Sequence, residues 1–408
     1  MKFKALYLFA GIGGGALGFQ QAQARDEWRG VSGTIETLAG IDCDPEACED
    51  FEWITGSPAI QMDLFSRQQY IDFHGEEPPE DWKEVTPFDL WKEVGEYPDI
   101  VFTSSPCKGF SGLLGQNKAK SPKYQALNLL TIRGVQLVLE AFEEDLPSLI
   151  LFENVPRITT RGKHLLEFIK SLLRQYGYAV SDGYHDCGVI GGLAQHRKRY
   201  LLIARHEKKV PSFVYHPPVR RVRSIGEVIG SLPMPDDPAG GKMHRLPRLQ
   251  KKTWERLAHI RPGKDWRDLE GTELELGCKP RSGTYGVLRW DQAANTVTGS
   301  ADVHSGTAAV ADPRFQGGWH RPLTTLELAA LQGFPTTIYG KPLELAGNSE
   351  KRWRERIGNA VPPQAAKAIG ETILRSLMAA KNNEWLMGGE PIWVKGISNT
   401  NLYSFSYS

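Results

Sequence analysis

The sequence predicts an α/β fold on a mostly parallel sheet, with a second, smaller domain of mostly irregular and β character. Three observations predict it. Across the first 205 residues short apolar runs alternate with stretches of helical period, the pattern of a sheet with helices on its faces. Glycines 11, 13, 14 and 15, Asp42, Cys107 and Glu153 all fall just past the ends of apolar runs, where such sheets hold ligands. From about 206 to 320 the alternation gives way to a stretch rich in Pro, Gly, Arg and Lys.

Taken in order, 4–9 is an apolar run before Gly11, and 13–24 follows with helical spacing. A second strand is predicted over 34–41, ending at Asp42 and leading into a helix over 45–51. Residues 65–98 break the rhythm; acidic, with prolines and two tryptophans, they read as an insertion packed on the domain and not as a site. Strands are predicted at 100–103, 149–152 and 200–204, with helices at 127–142 and 162–175. Leu127, Leu130, Val135, Val138 and Leu139 share one helical face. Short strands are expected at 296–298 and 308–311, then a helix over 324–334 ending near Gly333 and Pro335. A last helix over 363–380 opens on Pro362-Pro363, and the tail 381–408 has no period. These elements divide the chain into a main domain (1–205 and 335–380), a small domain (206–334) and the tail.

Composition narrows the function classes. No run of about 18 apolar residues exists, so no membrane span is expected. The N-terminal MKFKALYLFAGIGGG resembles a signal peptide, but its apolar run breaks into glycines and lacks a small-residue cleavage site. Five cysteines without CxxC pairs or His/Cys ligand spacing point to a reducing compartment and no metal. Formal net charge is +1, but its distribution is uneven. Residues 1–100 carry 7 Lys/Arg against 20 Asp/Glu, whereas 205–290 carry 18 against 10, which suits a polyanion on the later segment or a merely solvated surface.

Five short segments could carry chemistry. Glycines in FAGIGGG let backbone approach a ligand, and Asp42 suits ribose hydroxyls; alone, these fit a nicotinamide, a flavin or S-adenosylmethionine, or only a tight turn. Cys107 in SPCKGFSG stands at a strand tip, where nearby cations such as Lys108 or Arg197 would favour its thiolate, unless it is an inert turn cysteine. Glu153 in FENV could be a general acid if burial raises its pKa, or a plain salt-bridged Glu. Alternation in QHRKRY puts Gln195, Arg197 and Arg199 on one face, where guanidinium groups could grip a carbonyl or a carboxylate. IGNAVPP is a glycine turn into a Pro-opened helix.

In order and spacing, FAGIGGG, SPCKGFSG, FENV, QHRKRYLLIA, RPLTTLELAALQGFP and IGNAVPP resemble the motifs of the DNA (cytosine-5-)-methyltransferase family, over about residues 5–370. The resemblance implies a Rossmann-like S-adenosylmethionine-dependent methyltransferase domain with 206–334 as its target-recognition domain. It implies that Phe9, Gly11, Gly13, Asp42, Asp63, Leu127 and Asn359 meet S-adenosylmethionine, Asp42 at the ribose and Asp63 at the adenine amino group. It implies that Cys107 attacks C6 of a flipped cytosine, Glu153 contacts N3 and the exocyclic amine, Arg199 grips O2 and Arg197 supports the Cys loop. Many relatives carry Trp after the ribose-binding acid, where this chain has Cys43, so the adenine pocket is expected to be looser or to use another hydrophobe. The implied partner is double-stranded DNA, with no membrane and no metal. A monomer in the cytoplasm of a prokaryotic cell, or encoded by a phage, is expected, with room for a cognate restriction endonuclease acting separately.

Three other readings stay open. An RNA cytosine-5 methyltransferase would use the same Cys and Glu, but the roughly 120 residues between QHRKR and RPLTTLE favour DNA. A silent DNA-binding relative would be expected to lose Cys107, Glu153 or the arginines. An oxidoreductase built on GIGGG leaves the other segments unexplained.

Overall fold

The computed structural model describes residues 1–106, 109–110, 121–280, 283–304, 308–315 and 317–382. Cys107, the expected nucleophile, and most of the 381–408 tail lie outside the described residues.

An eight-stranded sheet forms the centre: β1 (Lys2–Leu8), β2 (Gln23–Asp26), β3 (Val31–Asp42), β4 (Ala59–Gln61), β5 (Ile100–Thr103), β6 (Leu149–Asn154), β7 (Tyr178–Asp186) and β8 (Lys198–His206). The spatial order is β2-β3-β1-β5-β6-β8-β7, with β4 paired to β3. The ladders joining β4, β3, β1, β5 and β6 are parallel, as the sequence predicts for most of the sheet. Those of β2 with β3, and of β8 with β6 and β7, are antiparallel. The sheet is therefore mixed. β7 escapes a sequence reading because only its first three residues are buried.

The central strands are apolar on both faces. Phe3, Ala5 and Tyr7 of β1 point into one core layer, while Leu6 and Leu8 point into the other. Thirteen helices follow in chain order: α1 (Gly14–Gln20), α2 (Pro45–Thr55), α3 (Arg67–His74), α4 (Pro87–Val94), α5 (Pro122–Ala141), α6 (Ile158–Arg161), α7 (Lys163–Gln175), α8 (Cys187–Gly191), α9 (Ile225–Ile229), α10 (Lys251–His259), α11 (Thr325–Gln332), α12 (Glu350–Asn359) and α13 (Pro363–Lys381), among the described residues. One layer is built on α1, α8 and α13 (Phe19, Ile190, Ile369, Ile373). The other is built on α5 and α7 (Leu130, Val138, Leu166, Ile169).

The acidic insertion folds as α3 and α4, each opened by a capping box, Ser66 with Gln69 and Thr86 with Asp89. Arg133 of α5 pins it, donating to the carbonyls of Leu64 (2.9 Å) and Val85 (2.8 Å).

Residues beyond 206 carry the small sheet β9 (Val287–Leu288), β10 (Ala309–Asp312) and β11 (Trp319–Pro322). The strand expected at 296–298 does not form. Side chains take the groups a ladder would use: Val297 N–H donates to Gln195 Oε1 (3.0 Å) and its carbonyl accepts from Arg197 (2.8 Å). Of the many basic side chains here, Arg221, Arg261, Arg267 and Arg289 are each paired with a carboxylate, which lowers the charge left for a polyanion.

Arg321 is wholly buried, 2.8 Å from Asp312 and 2.6 Å from Glu327, and Glu327 also caps α11 through Thr324. This ion cluster ties β10, β11 and α11 together. Arg321→Ala leaves buried Asp312 with Arg314 alone and buried Glu327 with Arg314 at 3.9 Å, and is expected to cost about 3–5 kcal/mol. The urea-unfolding midpoint reads this; an unchanged midpoint would contradict the assignment.

Candidate active site

β1 lies between β3 and β5, strands laid down on opposite sides of it, so a crevice opens past its carboxyl end. The loop after β1 crosses this crevice in left-handed backbone: Phe9, Gly11 and Gly13 all have positive φ (56°, 52° and 79°), which the glycines adopt freely and Phe9 only under strain. The ring of Phe9 lies against Gly134 of α5, where an added Cβ would come within 3.0 Å of it. Gly11 N–H donates to Asp42 Oδ2 (2.8 Å) and Asp44 N–H to Asp42 Oδ1 (3.0 Å). Asp42 thus has a fixed orientation with lone pairs to spare, and burial pushes its carboxyl above the usual range. A Cβ built on Gly11 would meet nothing within 4 Å, so the loop presents backbone to open space. A half-buried carboxylate next to an open glycine turn fits a nucleoside sugar.

That space is a cavity of about 400 Å³, within the size range of small-molecule sites. Phe9, Gly11, Asp42, Leu127, Asn359, Glu153, Arg197 and Arg199 all line it, as do Ser104, Ser105 and Pro106, which lead into Cys107. Two expected ligand residues stand apart from the lining. Gly13 is the N-cap of α1, and a Cβ there would lie 2.6 Å from Thr55, so it serves the turn and its packing. Asp63 accepts from Phe65 N–H (3.0 Å) and Trp82 Nε1 (3.2 Å).

Glu153 ends β6, and Arg199 begins β8. Because these neighbouring strands are antiparallel, the start of one lies beside the end of the other. Arg199 Nε reaches Glu153 Oε1 at 2.9 Å, with the two side chains only 11% and 10% exposed. Burial raises the Glu153 carboxyl above its usual pKa, against the pull of Arg199 and Arg197. A carboxyl so placed can hold a proton nearer neutrality, and the guanidinium can meet a developing negative charge.

Arg197 does different work. Its guanidinium donates to the carbonyls of Val297 (2.8 Å), Gly358 (2.9 Å) and Ala360 (3.1 Å). Gln195, fully buried, donates to Leu331 O (2.8 Å) and Gln332 Oε1 (2.6 Å) and accepts from Val297 N–H, while Gln332 donates to Ala360 O (2.7 Å). This network fixes the IGNAVPP turn beside the cavity.

Phe73 of α3 also lines the cavity, so the reading of 65–98 as no part of a site is corrected. Nothing in an acidic, proline-broken stretch signals that one ring turns inward. Arg352, Glu355 and Arg356 of α12 line it too, with Arg352 bridging to Asp44 (2.9 Å) and Glu46 (3.1 Å) on α2. Among the described residues no helix is long and apolar enough to cross a membrane, and no group of three or more His, Cys, Asp or Glu could hold a metal ion.

The sequence profile of the family described as C-5 cytosine-specific DNA methylase matches residues 3–375. The Type II methyltransferase M.BbvI of Brevibacillus brevis is 28% identical over 402 residues, covering 94% of this chain and 95% of that protein. The Type II methylase M.HgiDII of Herpetosiphon aurantiacus is 29% identical, covering 83% and 89%. Among solved structures, the S. pombe Dnmt2 methyltransferase aligns with a TM-score of 0.53 at 17% identity, covering 94% of this chain and all of that one. The Entamoeba histolytica methyltransferase EhMeth aligns with a TM-score of 0.56 at 14% identity, covering 94% and 98%. At such identities these likenesses speak for the fold.

The cavity depends on α1 seating against the turn before α13. A Cβ on Gly14 would lie 2.1 Å from the Val361 carbonyl oxygen, a backbone atom with little room to yield. Gly14→Ala is therefore expected to destabilise the chain by about 3 kcal/mol, the upper end for overpacking. A thermal midpoint equal to the parent's would refute this packing role.

Proposed function

The chain belongs to the C-5 cytosine-specific DNA methylase family, and from that premise we propose that it moves a methyl group from S-adenosylmethionine to C5 of a cytosine flipped out of duplex DNA. The observation that carries this reading is a single cavity with two halves. One half has the glycine turn and Asp42; the other has the Glu153–Arg199 pair, with Pro106 leading to Cys107.

Phe9, Gly11, Asp42, Leu127 and Asn359 would hold S-adenosylmethionine, which when bound supplies the electrophilic methyl. Gly13 and Asp63 would act from behind, through the turn and through Trp82. Cytosine C5 is a poor nucleophile until the aromatic ring is broken. The Cys107 thiolate forms a bond to C6, and the C5–C6 double-bond electrons become available at C5. Glu153 gives a proton to N3 and Arg199 holds O2, so the charge developing on the ring meets a preplaced acid and cation. With the methyl in place on C5, the C5 proton passes to solvent as the C6–S bond breaks, the C5–C6 double bond reforms, N3 returns its proton to Glu153 and the Cys107 thiolate is free. Burial pushes the Cys187 thiol up to about 12 and the Cys48 thiol up to about 11, which makes them poor rivals for this role.

Chemistry at C5 requires the base to leave the stack, at a cost of a few kcal/mol. Residues 206–334 would act as the target-recognition domain. Their unpaired basic side chains would take phosphates and their loops would read base edges. The Type II names of the relatives support a restriction-modification setting. In that setting a monomer works in the cytoplasm of a prokaryotic cell, or from a phage gene, beside an endonuclease that acts separately.

Purified protein incubated with mixed-sequence duplex DNA and S-adenosylmethionine is expected to leave 5-methylcytosine at one short motif, mapped by bisulfite sequencing. Methylation of structured RNA alone would overturn the reading. Cys107→Ser is expected to abolish transfer and keep DNA affinity within a fewfold; near-normal turnover would sink the covalent step. Arg199→Ala is expected to lower turnover about 100-fold or more, as loss of one charge-stabilising group does. A loss confined to DNA affinity would instead mean a phosphate contact.

A further inference from the structure

We propose that Phe73, from the acidic insertion, is the aromatic wall that receives the purine base of the cofactor, in place of a side chain at position 43. This rests on the cofactor reading above.

Four observations carry it. First, direction. Asp42 at the end of β3 would take the ribose, while Glu153 and Arg199 lie on the β6 side of β1. The base must then extend away from the reacting end, along the β3–β4 edge. Second, placement. The chain leaves β4 through Asp63 and Phe65 into α3, and the Phe73 ring packs on Phe65 with centroids 5.2 Å apart while lining the cavity. Third, need. Residue 43, directly after the ribose-side acid, is a cysteine, and neither it nor Asp63 is part of the cavity lining. The other rings in the lining, Tyr7, Phe9 and Phe102, come from β1, the loop after it and β5, not from the chain that follows β4. Fourth, rigidity. Trp82 donates from Nε1 to Asp63 and packs against Tyr70 at 5.0 Å, and Lys123 at the start of α5 sits 4.4 Å from the Phe73 ring centre. With the Ser66–Gln69 capping box, these contacts hold α3 in place before any ligand arrives. A ring held this way costs little conformational entropy when a flat base lies against it.

The insertion is thereby part of the binding machinery, built on two ring pairs, Phe65 with Phe73 and Tyr70 with Trp82.

The test uses the full chain and S-adenosylhomocysteine as probe, with binding measured by titration calorimetry and folding checked by thermal melting. Phe73→Ala is expected to weaken binding about tenfold, the scale of losing one aromatic partner of a base. Phe73→Leu, which keeps most of the apolar volume and so tolerates any packing role, is expected to lose severalfold, and Phe73→Trp to bind at least as well as the parent. Duplex DNA affinity should not move. A folded Phe73→Ala or Phe73→Leu protein binding within twofold of the parent would overturn the proposal. Failure of the parent itself to bind S-adenosylhomocysteine would overturn the cofactor reading and this proposal with it.

Discussion

The site depends on the antiparallel entry of β8 between β6 and β7. A parallel β8 would carry its first residues to the far end of the sheet. Antiparallel pairing sets Asn154 opposite Tyr200, and so sets Arg199 beside Glu153 at the same end as the glycine turn. Neither charge could be buried alone without a large desolvation cost. As a pair they hold each other, and burial still leaves Glu153 above its usual pKa. The same strand entry brings Arg197 and Gln195 inward, because alternate residues share a face.

Those two residues extend the constraint to the rest of the chain. Arg197 holds the carbonyls of Val297, Gly358 and Ala360, and Gln195 joins Val297 to Gln332. One buried polar network thus connects the end of the main sheet, the small segment and the turn into α13. That turn in turn meets α1 at Gly14, so the two ends of the described chain close over the cavity together. The small segment is therefore not loosely appended. Ile225, Val310 and Leu326 share one apolar cluster with Ile12 and Ile54 of the main domain.

Much of this was legible in the sequence. β1, β3, β5 and β6 stand out because strands covered on both faces are apolar throughout, and α5 and α13 because one helical face repeats. Asp42, Glu153 and Arg199 were legible through their place at strand ends, and they line one cavity. What was not legible shares a cause: it depends on contacts far apart in sequence. The direction of β8 follows from β7, an edge strand too polar to notice. The 296–298 segment has strand-like residues, but side chains from Gln195 and Arg197 claim its backbone. Phe73 is held at the cavity by Phe65, by His74 and by Lys123 from the start of α5, contacts that no local pattern announces. Charge counts overstate the free basic surface, since local Arg–Asp and Arg–Glu pairs consume part of it.

The central claim is that Cys107 is the nucleophile that acts on cytosine C6. Replacing the target hydrogen at C5 with fluorine tests it directly, because fluorine cannot leave as a proton does and the C6–S bond is then trapped. Duplex DNA of mixed sequence with 5-fluorocytosine throughout, incubated with the protein and S-adenosylmethionine, should yield a denaturant-stable adduct. Peptide mass mapping should place the methylated base on Cys107. Attachment at another residue, or methylation of ordinary cytosine with no trapped adduct on the fluorinated DNA, would contradict the account.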